Sequence, residues 1–205
     1  ASGFISNSDG TKSAKVFTSP LNEWLSFPIS ESLVYLQTKS SGRANSFLFS
    51  LNTKTGVLTE ILGNMVGLSS LPNKKGDMIL YSETSRGAPR LHLYNVAKKT
   101  TINLSLKTLA EKCVWSENLN TRLVCAVPRE LPNGIYPDLW YQGKISLSDD
   151  LWEIDTLTGE TKELIALNNN SYFFDVELPR LSDKDGYFVL RNKTNGSLWS
   201  VRLTK

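Results

Sequence analysis

A single histidine, His92, limits the catalytic chemistry open to this chain. Any Ser-His-Asp or Cys-His unit would have to be built on it, because imidazole is the general base in both. It lies in Arg90-Leu-His-Leu-Tyr94, a strand-like run in which a packed or surface histidine is the ordinary reading. Neither Cys113 nor Cys125 has an activating partner in the sequence. There is no Walker loop and no dinucleotide fingerprint, and Asn7-Ser-Asp-Gly-Thr11 has the wrong spacing for an EF-hand. The sequence therefore suggests no catalytic residue, no metal site and no cofactor. Two cysteines and one distant histidine do not make a four-ligand zinc site.

Carboxylates offer the one catalytic alternative. Glu23, Asp175 and Glu177 lie at or near the starts of strands expected to line an axis. Paired carboxylates about 5–10 Å apart can hydrolyse glycosidic bonds. A hydrolase acting on glycans or peptides would need these groups to converge on an open central pocket, and a channel plugged by aromatics would end that reading. Acidic residues at strand ends more often make turns or rim ion pairs.

The cysteines bear on structure. Each falls in an apolar strand, and the two strands flank the turn-like Glu117–Asn120. A hairpin centred near Leu119 places Cys113 opposite Cys125, close enough to bridge in a non-hydrogen-bonded pair. The alternative is two buried thiols acting as small hydrophobes. A bridge would stabilise by about 3 kcal/mol in the chain-entropy model and would imply an oxidising compartment.

The elements that position these residues form a repeat. Asp150–Ile165 reads as strand, tight turn and returning strand, and the phrase recurs at Phe47–Leu62 and Leu91–Leu106. A degenerate copy is Gly3–Phe17, and a clipped one, Leu198–Leu203, comes near the end. The turn-entry residues are Asn7, Asn52, Asn95, Asp155 and, by alignment, Arg202, at steps of 45, 43, 60 and 47 residues. Asn and Asp suit this point because their side chains bond the backbone two residues on. Continuous apolar runs precede each copy from the second onward: Leu33–Lys39, Met78–Thr84, Leu123–Pro128 and Tyr187–Lys193. Such runs fit strands buried on both faces. Before each run comes a further strand, at Glu23–Phe27, Gly67–Leu71, Cys113–Trp115 and Asp175–Leu178.

Four strands every forty-odd residues is the blade of a β-propeller. The expected fold is all-β, with about four and a half four-stranded antiparallel blades, standing alone or as part of a larger propeller. The half blade is 1–18, followed by blades of about 19–63, 64–107, 108–167 and 168–205. Long helical periodicity is absent. The chain opens on the third strand of a unit and stops after another third strand. Either Ser13–Thr18 closes the last sheet, or further units lie upstream, and the second reading is favoured.

The long step is an insertion, Pro128–Asp149, with three prolines, two glycines and the aromatics Tyr136, Trp140 and Tyr141. Loops of this length are usually functional or disordered, and the aromatics argue for order. Tyr136, Asp138, Trp140 and Tyr141 are the expected binding residues, because Tyr and Trp make rigid contact surfaces with polar tips. The competing reading folds the loop onto its own blade, covering an edge or the central channel.

Bulk properties exclude other classes. A formal charge of +3, from 23 basic and 20 acidic residues without a basic run, does not suit nucleic acid. No apolar run approaches the roughly 18 residues of a membrane span, so no membrane contact by this segment is expected.

With the repeats placed, the chain resembles the TolB-type and WD-type propeller repeat proteins of bacteria, in particular uncharacterised repeat proteins of candidate-phyla bacteria. The residues that carry the resemblance are Ser19–Trp24, Leu51–Gly56, Lys107–Ser116, Cys125–Pro128 and Tyr136–Tyr141. The Ser-Pro-Asp-Gly turn usual before the second strand is eroded here to Leu71-Pro-Asn-Lys-Lys-Gly76 and Leu181-Ser-Asp-Lys-Asp-Gly186. The resemblance implies an envelope location, anchored by a membrane segment with further blades upstream. It brings no activity with it. The function expected is a non-catalytic binding or scaffold module with a protein partner or larger assembly. Trp140→Ala and Tyr141→Ala would then weaken the partner without unfolding the domain.

Overall fold

The computed structural model describes residues 1–167 and 173–203. It is a series of antiparallel meanders in chain order. A two-stranded sheet pairs β1 (Ser2–Ile5) with β2 (Ala14–Thr18). The first four-stranded sheet is β3 (Trp24–Ser30), β4 (Leu33–Thr38), β5 (Asn45–Asn52) and β6 (Leu58–Val66). The second is β7 (Ser69–Pro72), β8 (Met78–Ser85), β9 (Ala88–Asn95) and β10 (Thr100–Asn103). The third is β11 (Cys113–Trp115), β12 (Arg122–Pro128), β13 (Asp149–Asp155) and β14 (Thr161–Ile165). A three-stranded sheet follows, β15 (Val176–Leu181), β16 (Tyr187–Asn192) and β17 (Leu198–Arg202). β2 hydrogen-bonds to β1 and is not paired with β17, so closure of the last sheet by Ser13–Thr18 is not the arrangement found.

Strand burial explains the continuous apolar runs. In β12, Leu123, Cys125 and Val127 pack toward the second sheet, against Leu80, Leu91 and Leu93. The alternate residues Val124 and Ala126 pack toward the last sheet, against Val176, Phe188 and Leu190. β8 does the same: Ile79 and Tyr81 join Tyr35 and Leu48 of the first sheet, and Leu80 faces the third. A strand between two sheets must be apolar on both faces, which removes the usual alternation. The core is thus a set of layers between sheets, as in a propeller.

Polar ties reinforce the layers. The Gln37 carboxamide oxygen accepts from the Ser70 backbone N–H at 2.7 Å and from its hydroxyl, joining the first and second sheets. The Trp115 indole donates to the Leu71 carbonyl at 2.9 Å, and the Ser116 hydroxyl to Asp185 at 2.5 Å. The outer hairpins are built as their entry residues dictate. The Asn52 side chain accepts from the amides of Lys54 and Thr55, and Asp155 does so from Leu157 and Thr158. Asn95 accepts from Lys98. His92 is buried, stacked on Tyr81 with ring centroids 4.9 Å apart, and its Nδ1 pairs with Asn103 at 2.9 Å.

Cys113 and Cys125 are direct cross-strand partners and form a disulfide. Their Cα atoms are 4.0 Å apart, the close spacing of a non-hydrogen-bonded pair. Among the described residues no helix is long and apolar enough to cross a membrane.

Candidate functional site: a sealed hub where four sheets meet

The links between second and third strands, and those from each sheet to the next, emerge at the same end of the meanders. There a 3-10 turn, Ala110–Lys112, precedes β11 and touches β7 and β15. The turn aims Lys112 inward, where it is wholly buried. Its Nζ donates to Asp149 Oδ2 at 2.6 Å and to Asp175 Oδ1 at 2.7 Å. Asp175 also accepts from the Trp140 indole at 2.8 Å and the Leu147 amide at 3.1 Å. Asp149 accepts from the Val176 amide at 2.7 Å. Burial pushes the Asp149 carboxyl above the usual carboxylate range, and the Lys112 ammonium beside it pulls back down. The Trp140 ring is flanked by two ammonium groups, Lys112 and Lys193, each with Nζ 4.9 Å from its centroid. Such contacts are cation–π interactions.

The insertion, 129–148, forms the lid of this hub. It contains a one-turn helix, α1 (Asp138–Tyr141), which the sequence reading missed because four residues show no periodicity. Leu109, Tyr136, Trp140 and Leu147 make its own small core. It is fastened to the four later sheets in turn. Asp138 accepts from the Ser41 hydroxyl at 3.1 Å and from the Gly42 amide, both in the β4–β5 loop. The Tyr136 carbonyl accepts from the Thr84 hydroxyl of β8 at 2.8 Å. Tyr141 donates to Glu111 Oε1 at 2.7 Å, and Trp140 reaches Asp175. Two glycines make room. A Cβ on Gly42 would sit 2.3 Å from the Tyr136 carbonyl oxygen, and Gly67, at φ +72°, would meet Thr84 and Tyr136.

The expected binding residues therefore occupy different situations. Tyr136 and Trp140 are buried, at 0% and 2% exposure, and face inward as structural members. Asp138 is half-buried and spent on Ser41 and Gly42. Tyr141 alone lines an open hollow, with Glu23, Trp24, Leu25, Lys39 and Glu111. The expected axial carboxylates are also engaged. Asp175 is buried with Lys112 and Trp140. Glu177 pairs with Arg191 and Lys193. Glu23 pairs with Lys39 at 2.5 Å on the surface. Among the described residues no group of three or more His, Cys, Asp or Glu gathers to hold a metal ion.

Glu111 is a perturbed residue that the sequence does not single out. Burial raises its carboxyl above the usual range, opposed by the Tyr141 hydroxyl and by Lys112. Burial and the same carboxylate push the Tyr141 phenol far up, so it stays a donor.

No protein-family model matches the sequence, and no curated protein matches it either. Solved structures do. TolB from Acinetobacter baumannii superimposes with a TM-score of 0.62 at 12% identity, over 100% of this chain and 49% of that one. A putative TolB from Agrobacterium tumefaciens gives 0.61 at 13% identity, over 93% and 62%. The chain has a TolB-type β-propeller fold. An oligogalacturonate lyase in complex with manganese gives 0.63 at 10% identity, over 96% and 52%. The chain thus spans roughly half to three-fifths of the length of these structures, and at such identities the likeness is one of fold.

Proposed function

We propose that this chain is a non-catalytic, protein-binding segment of a β-propeller, working outside the cytoplasm and presenting its hub end to a partner. The observation that carries the reading is the fate of the axial carboxylates. A hydrolase needs two of them free to reach substrate, and here Asp175 is tied to Lys112 beneath the Trp140 lid while Glu177 and Glu23 each hold a cation. The disulfide supports an oxidising compartment. What the hub end offers outward is a rim of exposed loop residues, Arg43, Arg86, Lys144 and Asn195, and a hollow lined by other residues, among them Trp24, Leu25, Glu111 and Tyr141.

The test is site-directed photo-crosslinking in cells that express the protein. A photoreactive residue at Arg43, Arg86 or Lys144 is expected to trap a protein. The same probe at Thr55, Lys98 or Thr158, on the opposite hairpins, is expected to trap none. Equal adducts from both ends, or none from the hub rim, would overturn the reading.

A further inference from the structure

Among the described residues the fully buried charges are paired, while the half-buried Asp138 and Glu111 are held by neutral groups. Lys112 is balanced by two aspartates, Asp185 by Arg122, and Asp150 by Arg129. Glu111 sits deep between the first, second and third sheets, and its partners are neutral: the Tyr141 hydroxyl at 2.7 Å and the Ser69 hydroxyl at 3.4 Å. No basic side chain among the described residues lies within ion-pair distance of it. Its chain neighbour Lys112 points the other way, into the aspartates. A deep carboxylate is rarely left without a cation, since the desolvation of one charge is offset mainly by another.

The cation has a way in. Glu111 is enclosed but keeps part of its surface open, at intermediate exposure, to the hollow of about 290 Å³ that Tyr141 lines. The walls are Trp24, Leu25 and the Tyr141 ring, which suit a methylene chain and, by their π faces, a positive head. The mouth carries Lys39, whose charge Glu23 neutralises at 2.5 Å. Arginine's planar fork asks for two coplanar acceptors, and here Tyr141 and Ser69 both take Glu111 Oε1.

We infer that this hollow receives a primary ammonium group, the side chain of a lysine projecting from a protein partner, with Glu111 as counter-ion and Trp24, Leu25 and Tyr141 around its methylenes. The inference rests on the reading of the hub as a protein-binding end and names what that end recognises.

The test uses the whole chain labelled with nitrogen-15 and two peptides, N-acetyl-Gly-Lys-Gly-amide and its norleucine counterpart. The indole N–H signal of Trp24, in the wall of the hollow, is the readout. The lysine peptide is expected to shift it saturably. A hydrogen bond to a charged group is worth about 1.5–3 kcal/mol, so the norleucine peptide and the Glu111→Gln variant should each bind at least about tenfold more weakly. Leu25→Trp, at an exposed wall position, should fill the mouth and abolish the shift with the fold intact, which keeps the test decisive if Glu111→Gln misfolds. Equal binding of the norleucine peptide, unchanged binding to Glu111→Gln, or undiminished binding to Leu25→Trp would overturn the site. Partner crosslinking from the hub rim that persists while the lysine peptide fails to bind would remove the ammonium site and leave the protein-binding reading standing.

Discussion

Replacing Lys112 by methionine tests the hub at its centre. Met keeps most of the volume and removes the charge, leaving Asp149 and Asp175 buried side by side at 0% and 1% side-chain exposure. Each retains a neutral donor: the Val176 amide for Asp149, and the Trp140 indole and Leu147 amide for Asp175. Those bonds soften the loss without supplying a counter-charge. Breaking a buried pair in this way costs about 3–5 kcal/mol. In a domain of this size about 1 kcal/mol moves the melting temperature by roughly 2–4 °C, so Lys112→Met should melt roughly 6–20 °C lower. Urea unfolding followed by tryptophan fluorescence, with the disulfide intact, measures the difference directly. The pH dependence has a definite sign. Asp149 already holds its proton more tightly than a free carboxyl, and loss of Lys112 raises it further. Protonated, Asp149 no longer needs the ammonium, so the variant's deficit must shrink as the pH falls. A triple variant that adds Asp149→Asn and Asp175→Asn should recover part of the loss. A Lys112→Met protein within about 1 kcal/mol of wild type at neutral pH, or a deficit that widens on acidification, would refute the account of the hub.

Other outcomes follow from the same geometry. Trp140→Ala removes a buried ring and the indole donor to Asp175, and should cost about 3–5 kcal/mol by calorimetry, so any loss of partner binding has to be read against that loss of stability. Tyr141→Phe keeps the ring and should cost about 1.5–3 kcal/mol through the lost hydrogen bond to the Glu111 carboxylate. Gly42→Ala drives a Cβ into the Tyr136 carbonyl and should loosen the insertion, read as faster proteolytic nicking within 129–148 with the sheets' circular dichroism retained. Reduction of Cys113–Cys125, or its replacement by two serines, should cost about 2–4 kcal/mol in urea midpoint experiments. Glu111 binds its proton more tightly folded than unfolded, so its contribution to stability is full below about pH 4.5 and is lost as the pH climbs through its raised value. Relative to Glu111→Gln, wild type should therefore weaken between pH 4.5 and neutrality in paired urea titrations.

Local chemistry made most of the fold legible. Asn52, Asn95 and Asp155 mark hairpins because their side chains bond the next residues of the same turn, a relation the chain order preserves. The run through Leu123–Pro128 reveals a doubly buried strand because alternate residues serve two different sheets. Cys113 and Cys125 are legible as partners because one hairpin sets their register. The hub was not legible in this way. Lys112 meets carboxylates 37 and 63 residues away, and nothing in Glu-Lys before an apolar strand distinguishes an inward lysine from a solvated one. Asp175 was noticed for its strand position, yet its role is set by Lys112 and Trp140. Tyr136 and Trp140 looked like a contact surface by type, and only the closeness of Gly42, Gly67 and Thr84 reveals that they face inward. The doublet Asp149-Asp150 at the start of β13 was the available signal, since two acids there need two cations.

A stack of repeats ordinarily behaves as a line in which every unit feels only those on either side, so that it can fray from one end inward. The 129–148 insertion breaks that rule, because a segment rooted in the third sheet grips Ser41 and Gly42 in the first, Thr84 in the second and Asp175 ahead of the last. It works like the hoop of a barrel. Stress applied to the first or the last of these four sheets is shared by all of them, and the four should open in one concerted event instead of unravelling blade by blade.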